Sequence, residues 1–228
     1  RMAAEVLHAN RSGFDPLTAR SAELLATELD RFEALLTDLL EISRFDAGAA
    51  ELALDHTDLA ALVADEVDAV APLAQEFGTE LVLDAPAECR AEVDSRRIRR
   101  IVRNLLTNAI EHGERPPISV HVRGDADAVA IAVRDHGVGL TRTQAHLVFD
   151  RFWRADPARA RRLGGTGLGL SIALEDARLH GGLLSVWGGP RRGAQFVLTL
   201  PRRAGHEIAE SPWPDRPPDL EEAADGAS

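Results

Sequence analysis

The sequence predicts an α/β chain. It is a two-layer α/β sandwich, a mixed sheet covered by helices on one face, preceded by a partial helical hairpin. Three observations point there. Near the start, Leu25, Leu29, Phe32, Leu36 and Leu39 recur at 4-3-4-3 spacing, the rhythm of a coiled coil or helical bundle. Alternating runs at 118–123 and 128–134 flank Gly124-Asp125, as in a β-hairpin. Amphipathic helical patterns after Asp58, after Asp94 and from the Gly165–Gly167 turn are interleaved with strand-like runs.

In chain order, residues 1–9 read as the end of a first helix, broken by Ser12-Gly13 and Asp15-Pro16. Asp15 then caps a second helix, with Pro16 in its first turn. Leu24, Leu35 and Ile42 broaden its apolar stripe before Gly48 ends it. So wide a stripe needs partners on more than one side, and a second copy of the chain is the natural source. Packing against the following domain of the same chain is the alternative. Glu51–Leu54 reads as a short strand, and Thr57-Asp58 caps a helix with Leu59, Leu62, Val63, Val67, Val70 and Leu73 on one face. Strands are expected near 79–84 and 89–93, then a helix from about Asp94 to His112, stopped by Gly113 and Pro116-Pro117. After the hairpin, a helix opens at Gly165–Gly167 and ends at His180 before Gly181-Gly182. Strands at about 183–188 and 194–200, joined through Gly188-Gly189-Pro190, finish the sheet. The expected division is 1–50 for the hairpin, 51–203 for the α/β domain and 204–228 for a tail.

Composition narrows the function. The 228 residues are 45% hydrophobic, enough for a packed core. A net charge of −11 argues against nucleic acid, which requires a basic footprint. All 26 basic residues are arginine, so any cationic phosphate contact must be Arg or His. No run of 18 or more residues is free of charge, and Arg1-Met2 opens directly into an amphipathic pattern, so neither a membrane span nor a leader is expected. The single cysteine, Cys89, excludes an internal disulfide and fits a reducing compartment. Residues 204–228 hold seven acids, one arginine and four prolines, and are expected to be disordered.

Four short segments read together as a nucleotide site: Asn104-Leu-Leu-Thr-Asn108, Asp135-His-Gly-Val-Gly139, Phe149-Asp-Arg-Phe152 and Gly164-Gly-Thr-Gly-Leu-Gly-Leu170. Asn104 and Asn108 are four apart, hence on one helix face, opposite Ile98, Ile101, Val102, Leu105 and Leu106. An asparagine carbonyl is a hard oxygen ligand suited to Mg²⁺, which keeps most of its waters and bridges nucleotide phosphates. Asp135 closes a strand before Gly137 and Gly139, which let backbone approach a flat base, and its carboxylate can accept a hydrogen bond from an exocyclic amine. Gly165, Thr166, Gly167, Leu168, Gly169 and Leu170 open a helix whose exposed amides suit an anion. This loop is no P-loop, because Gly-Lys-Ser/Thr is absent, and no leading strand makes it a dinucleotide fingerprint. Between them, Arg154–Leu163 with Arg159, Arg161 and Arg162 reads as a mobile lid based on Phe149, Phe152 and Trp153. Arg151 and Arg154 are candidate phosphate contacts.

In order and spacing these segments resemble the N, G1, F and G2 boxes of the ATP-binding domain of sensor histidine kinases, over roughly residues 57–201. Residues 1–50, including Arg1–His8 and Leu35–Gly48, resemble the dimerisation and histidine-phosphotransfer hairpin of that family, more narrowly that of the actinobacterial MtrB-type kinases. The resemblance implies ATP and Mg²⁺ as ligands, Asn108 as the metal ligand supported by Asn104, His112 near the phosphates, and Asp135 reading the adenine amine. It implies a homodimer through the hairpin, a cognate response regulator as partner, and a cytoplasmic portion of a cell-membrane protein whose membrane contact lies in an N-terminal region. None of the eight histidines lies in a His-Glu-Leu-Arg-Thr-Pro-like box, so the phosphoacceptor is expected upstream of Arg1. The same ATP fold serves ATPases that place a glutamate four residues before the metal-binding asparagine as a general base. Asn104 stands there and cannot take a proton, which favours transfer to a supplied nucleophile over hydrolysis. A degenerate ATP module that docks a protein partner, or a serine/threonine kinase of this fold, are the other readings.

Overall fold

The computed structural model describes residues 15–114, 116–155 and 166–220. The chain divides into two units at Ala49/Ala50.

The first unit is one described helix, α1 (Pro16–Asp46). Asp15 caps it as expected, its Oδ1 accepting from Leu17 N–H at 3.0 Å and Thr18 N–H at 3.2 Å. The other arm of the expected hairpin, residues 1–9, lies outside the described residues. Leu24, Leu25, Leu29, Phe32, Leu36 and Leu39 are all exposed along α1 within one chain.

The second unit contains β1 (Asp55–Asp58), α2 (Leu59–Phe77), β2 (Leu81–Asp84), β3 (Arg90–Val93), α3 (Ser95–His112), β4 (Ile118–Gly124), β5 (Ala128–Arg134), α4 (Arg142–Leu147), α5 (Gly169–Leu179), β6 (Leu183–Gly188) and β7 (Ala194–Pro201). Five strands form a mixed sheet in the order β2-β4-β5-β7-β6, with β2 parallel to β4 and every other pair antiparallel. β1 and β3 form a separate antiparallel ribbon. The strand read at Glu51–Leu54 is displaced to Asp55–Asp58. Ala53 N–H is taken by the Asp94 side chain at 3.1 Å, so ladder pairing starts only beyond it.

Strand alternation separates two faces. Ile118, Val120, Val122, Val129, Ile131, Val133, Phe196, Leu198 and Leu200 point inward and form one core with the apolar sides of α2, α3 and α5. Ion pairs tie the helix layer together laterally. Asp176 on α5 is fully buried and receives Arg97 and Arg100 of α3, each at 2.7 Å. Glu66 on α2 receives Arg99 at 3.2 Å and Arg103 at 3.0 Å. Asp94 caps α3 through Arg96 and Arg97 N–H, and its own N–H donates to His180 Nε2 at 3.0 Å.

The outer face carries Ala130, Ala132 and Val197, packed against Trp213. The expectation of disorder from residue 204 therefore fails through residue 220. Residues 211–219 form a strap over the sheet. Trp213 stacks on His121 with ring centroids 4.4 Å apart, the Arg123 guanidinium lies 5.5 Å from a Trp213 ring centroid, and the indole N–H donates to Gln195 Oε1 at 3.3 Å. Gln195 Nε2 donates to the Pro214 and Asp215 carbonyls, both at 2.9 Å. The chain bends repeatedly at its prolines, and the Pro214 and Asp215 carbonyls it turns inward are met by the outer-face Gln195 side chain. Residues 221–228 lie outside the described residues. Among the described residues no helix is long and apolar enough to cross a membrane.

Candidate nucleotide site

Three pieces of backbone meet around the second half of α3 and the turn that opens α5. The first is the glycine turn that opens α5. Asn104 Nδ2 donates to the Gly169 carbonyl at 2.9 Å, and Gly169 is so close that a Cβ would lie 3.2 Å from the Asn104 carboxamide. The second is the loop after β5. A Cβ on Gly137 would collide with the His112 carbonyl oxygen, whereas glycine lets the loop lie on the end of α3 and Val138 N–H reach that oxygen at 3.4 Å. The third is the segment after α4, where Phe152 N–H donates to Gly167 O at 2.9 Å.

Asn108 lies one turn beyond Asn104, half-buried, and its side chain makes no hydrogen bond among the described residues. Asp135 is only 3% exposed. Its Oδ1 accepts from Gly137 N–H at 3.0 Å. Burial pushes this carboxyl above the ordinary carboxylate range, opposed by the backbone N–H groups of Gly137 and Ala194 and by the charge of Arg134. α5 begins without a side-chain cap: Leu168 offers none, so the first-turn amides after it are left without that partner. Thr166 Oγ1 accepts from Leu168 N–H at 3.2 Å and tightens the turn, and Gly167 holds φ +72°. Leu168 is fully buried, and Leu170 also packs against the core.

The lid base differs in part from expectation. Phe149 packs edge-on against Phe196 at 6.2 Å and Trp153 lies against the core, but Phe152 is exposed, with φ +63°. Arg151 is exposed and Arg154 half-buried. Gly165 and the lid arginines Arg159, Arg161 and Arg162 lie outside the described residues.

Two groups escaped the sequence reading. Glu111, three residues past Asn108, has its carboxyl pushed up by burial, with the charge of Arg154 pulling the other way. The β6–β7 turn, read only as a connection, is the cradle of the Asp135 loop. Arg191 N–H donates to Val138 O at 2.9 Å, Gly193 N–H donates to Gly137 O at 3.1 Å, and a Cβ on Gly139 would strike the Gly189 carbonyl. The second glycine run, Gly188-Gly189 with Gly193, was the available signal.

Residues 93–204 match the family of histidine kinase-, DNA gyrase B- and HSP90-like ATPases. Over 218 residues, 95% of its length, the chain is 54% identical to sensor histidine kinase MtrB of Mycobacterium tuberculosis and 53% identical to that of Mycobacterium leprae. The chain belongs to the sensor histidine kinase family. It spans 38% and 39% of the length of these two curated sensor kinases. The fold is also that of full-length ShkA, solved with AMPPNP, at a TM-score of 0.75 and 24% identity, covering 90% of this chain and 43% of that one. The family match covers most of the α/β unit and supports ATP binding there.

Proposed function

We propose that this chain is the ATP-binding catalytic part of a sensor histidine kinase that passes the γ-phosphoryl of Mg-ATP to a histidine nitrogen and onward to a response-regulator aspartate. The observation that carries the reading is the Asn104–Gly169 hydrogen bond, which holds the asparagine face of α3 against the amide-rich start of α5. Asp135 Oδ2 accepts from the adenine amine, a contact guanine cannot reproduce at that position. The α5 amides, with the positive end of the helix dipole, hold phosphate, and Arg151, Arg154 and His112 border it.

The donor set fits Mg²⁺. Among the described residues, Asn108 offers one neutral oxygen without a competing protein hydrogen bond, and no group of three or more His, Cys, Asp or Glu forms a dedicated cage. A metal that relies on water and phosphate oxygens needs little more. When bound, Mg²⁺ neutralises phosphate charge. The protein's own part is to hold base, ribose and phosphates in line for an incoming nucleophile. Asn104 is neutral and engaged with Gly169, so it removes no proton from water. Dimerisation through the exposed stripe of α1 and placement at the inner side of a cell membrane complete the proposal.

The test is titration with Mg-ATP, followed by transfer of labelled γ-phosphoryl to a separately supplied helical hairpin bearing a phosphoacceptor histidine. Binding with transfer supports the kinase reading. Failure of both rejects it.

A further inference from the structure

The strap over the outer sheet face ends at the residue beside the proposed adenine contact. Its contacts follow β7 backwards: Ser211 Oγ meets Thr199 Oγ1 at 2.8 Å, Trp213 covers Val197, and Pro214 and Asp215 engage Gln195. Asp215 also accepts from Ser185 Oγ at 2.6 Å. The last contact is Asp219 on Arg134, the residue paired with Gln195 across β5 and β7. Arg134 Nε and Nη2 donate to the two Asp219 oxygens at 3.2 and 3.0 Å, a two-pronged pair.

Arg134 is 4% exposed and cannot shed its proton, so it requires an anion where it sits. Its third nitrogen, Nη1, donates to the backbone oxygen of Asp135 and lies 3.5 Å from Ala194 O, the oxygen that also receives Asp135 N–H at 2.9 Å. The guanidinium thus grips the peptide unit from which the Asp135 carboxylate projects to the opposite, inner side. His136 Nε2, next in sequence, lies 3.7 Å from Asp219. One tail carboxylate therefore compensates the buried cation that fixes the Asp135 main chain, and touches the start of the glycine loop as well.

We propose that Asp219 and Arg134 are positioning residues of the nucleotide site, through which the C-terminal strap sets the aim of the Asp135 carboxylate at adenine. This rests on Asp135 reading the adenine amine, and the experiment separates the two ideas. Affinities for Mg-ATP and for the purine riboside triphosphate lacking the 6-amino group are measured on the wild type, Asp135→Asn, Asp219→Asn and Asp219→Glu, with thermal melts of each. Asp219→Asn weakens Mg-ATP roughly fivefold or more, the scale of coupling between linked sites, yet moves the analogue by less than about twofold. Asp219→Glu restores most of the ATP affinity. Trp213→Ala, which unseats the strap and with it Asp219 while keeping both ion-pair side chains, shifts the same ratio and serves if Asp219→Asn does not fold. If Asp135→Asn discriminates between the nucleotides but neither Asp219→Asn nor Trp213→Ala does, the strap only stabilises the sheet and the inference is overturned. Equal weakening of both nucleotides by Asp219→Asn overturns it too. If Asp135→Asn itself fails to discriminate, the adenine reading falls first and takes this one with it.

Discussion

Asn104 and Gly169 are 65 residues apart, and one hydrogen bond of 2.9 Å joins the side-chain amide of the first to the backbone oxygen of the second. The bond has a direction that matters. Only an amide donor at position 104 satisfies the Gly169 carbonyl. Asn104→Asp keeps the shape but presents oxygen to oxygen, so the junction between α3 and α5 should open. Unfolding in urea should show a loss of about 1–3 kcal/mol, the cost of leaving such a group without its partner, and Mg-ATP affinity should fall with it. An unchanged midpoint would mean that the junction does not depend on this bond. A glutamate here, as ATPases of the fold carry, would meet the same carbonyl, so gaining hydrolysis by Asn104→Glu requires rebuilding the α5 start as well.

Asn108 is placed to be informative in the opposite way, since its side chain makes no hydrogen bond among the described residues. Asn108→Ala retains helix propensity and should leave the melting temperature nearly unchanged. Mg-ATP affinity should fall by at least about tenfold, or 1.4 kcal/mol, while ATP without metal binds wild type and variant alike. Equal Mg-ATP affinity would remove Asn108 from the site.

The sequence was most legible where one residue type does one local job. Asp15 and Asp58 cap their helices as read, and Asp125 turns the β4–β5 hairpin by accepting from Asp127 and Ala128 N–H, both at 2.8 Å. α3, the Asp135 loop and the α5 turn, segments that the sequence read together, do meet. What escaped was non-local or weakly apolar. α4 buries no residue, so hydrophobic periodicity is silent there, although Thr141 and Gln144 form a capping box. The parallel β2–β4 pairing depends on which strands end up adjacent, which no local pattern encodes. The strap failed on composition: acids and prolines signal disorder when nothing receives them, and here Arg134, Ser185, Gln195 and Trp213 supply the reception.

Asp135 should show function set against stability. Burial raises its folded-state pKa above the ordinary value of 3.8, so at neutral pH the ionised carboxylate works against folding. That penalty fades as the pH falls through the folded-state pKa towards 3.8. Asp135→Asn, which can still accept from Gly137 N–H, should therefore melt at an equal or higher temperature at pH 7 and bind ATP more weakly. Its advantage over the wild type should shrink in acid. A variant clearly less stable at pH 7 would show that the carboxylate is structural.

His180 supplies the opposite pH dependence, away from the site. Its Nε2 accepts from Asp94 N–H at 3.0 Å, so in this neutral tautomer Nδ1 carries the proton and donates to the Asp176 carbonyl at 2.7 Å. Protonating Nε2 would set two donors against each other. Burial lowers the pKa from 6.5; the Asp176 and Asp94 charges oppose that shift and Arg97 reinforces it. A depressed histidine contributes stability that is complete above the unfolded value of 6.5 and is lost as the pH falls from there towards the folded-state pKa. Over that window the slope from this one proton is at most about 1.4 kcal/mol per pH unit. Denaturant midpoints taken from pH 7.5 down to 5 should fall for the wild type. His180→Gln keeps one donor and one acceptor but cannot titrate, so its absolute stability should drop while its slope below pH 6.5 becomes shallower. Parallel slopes for the two proteins would assign the acid sensitivity to other groups and leave His180 a packing residue only.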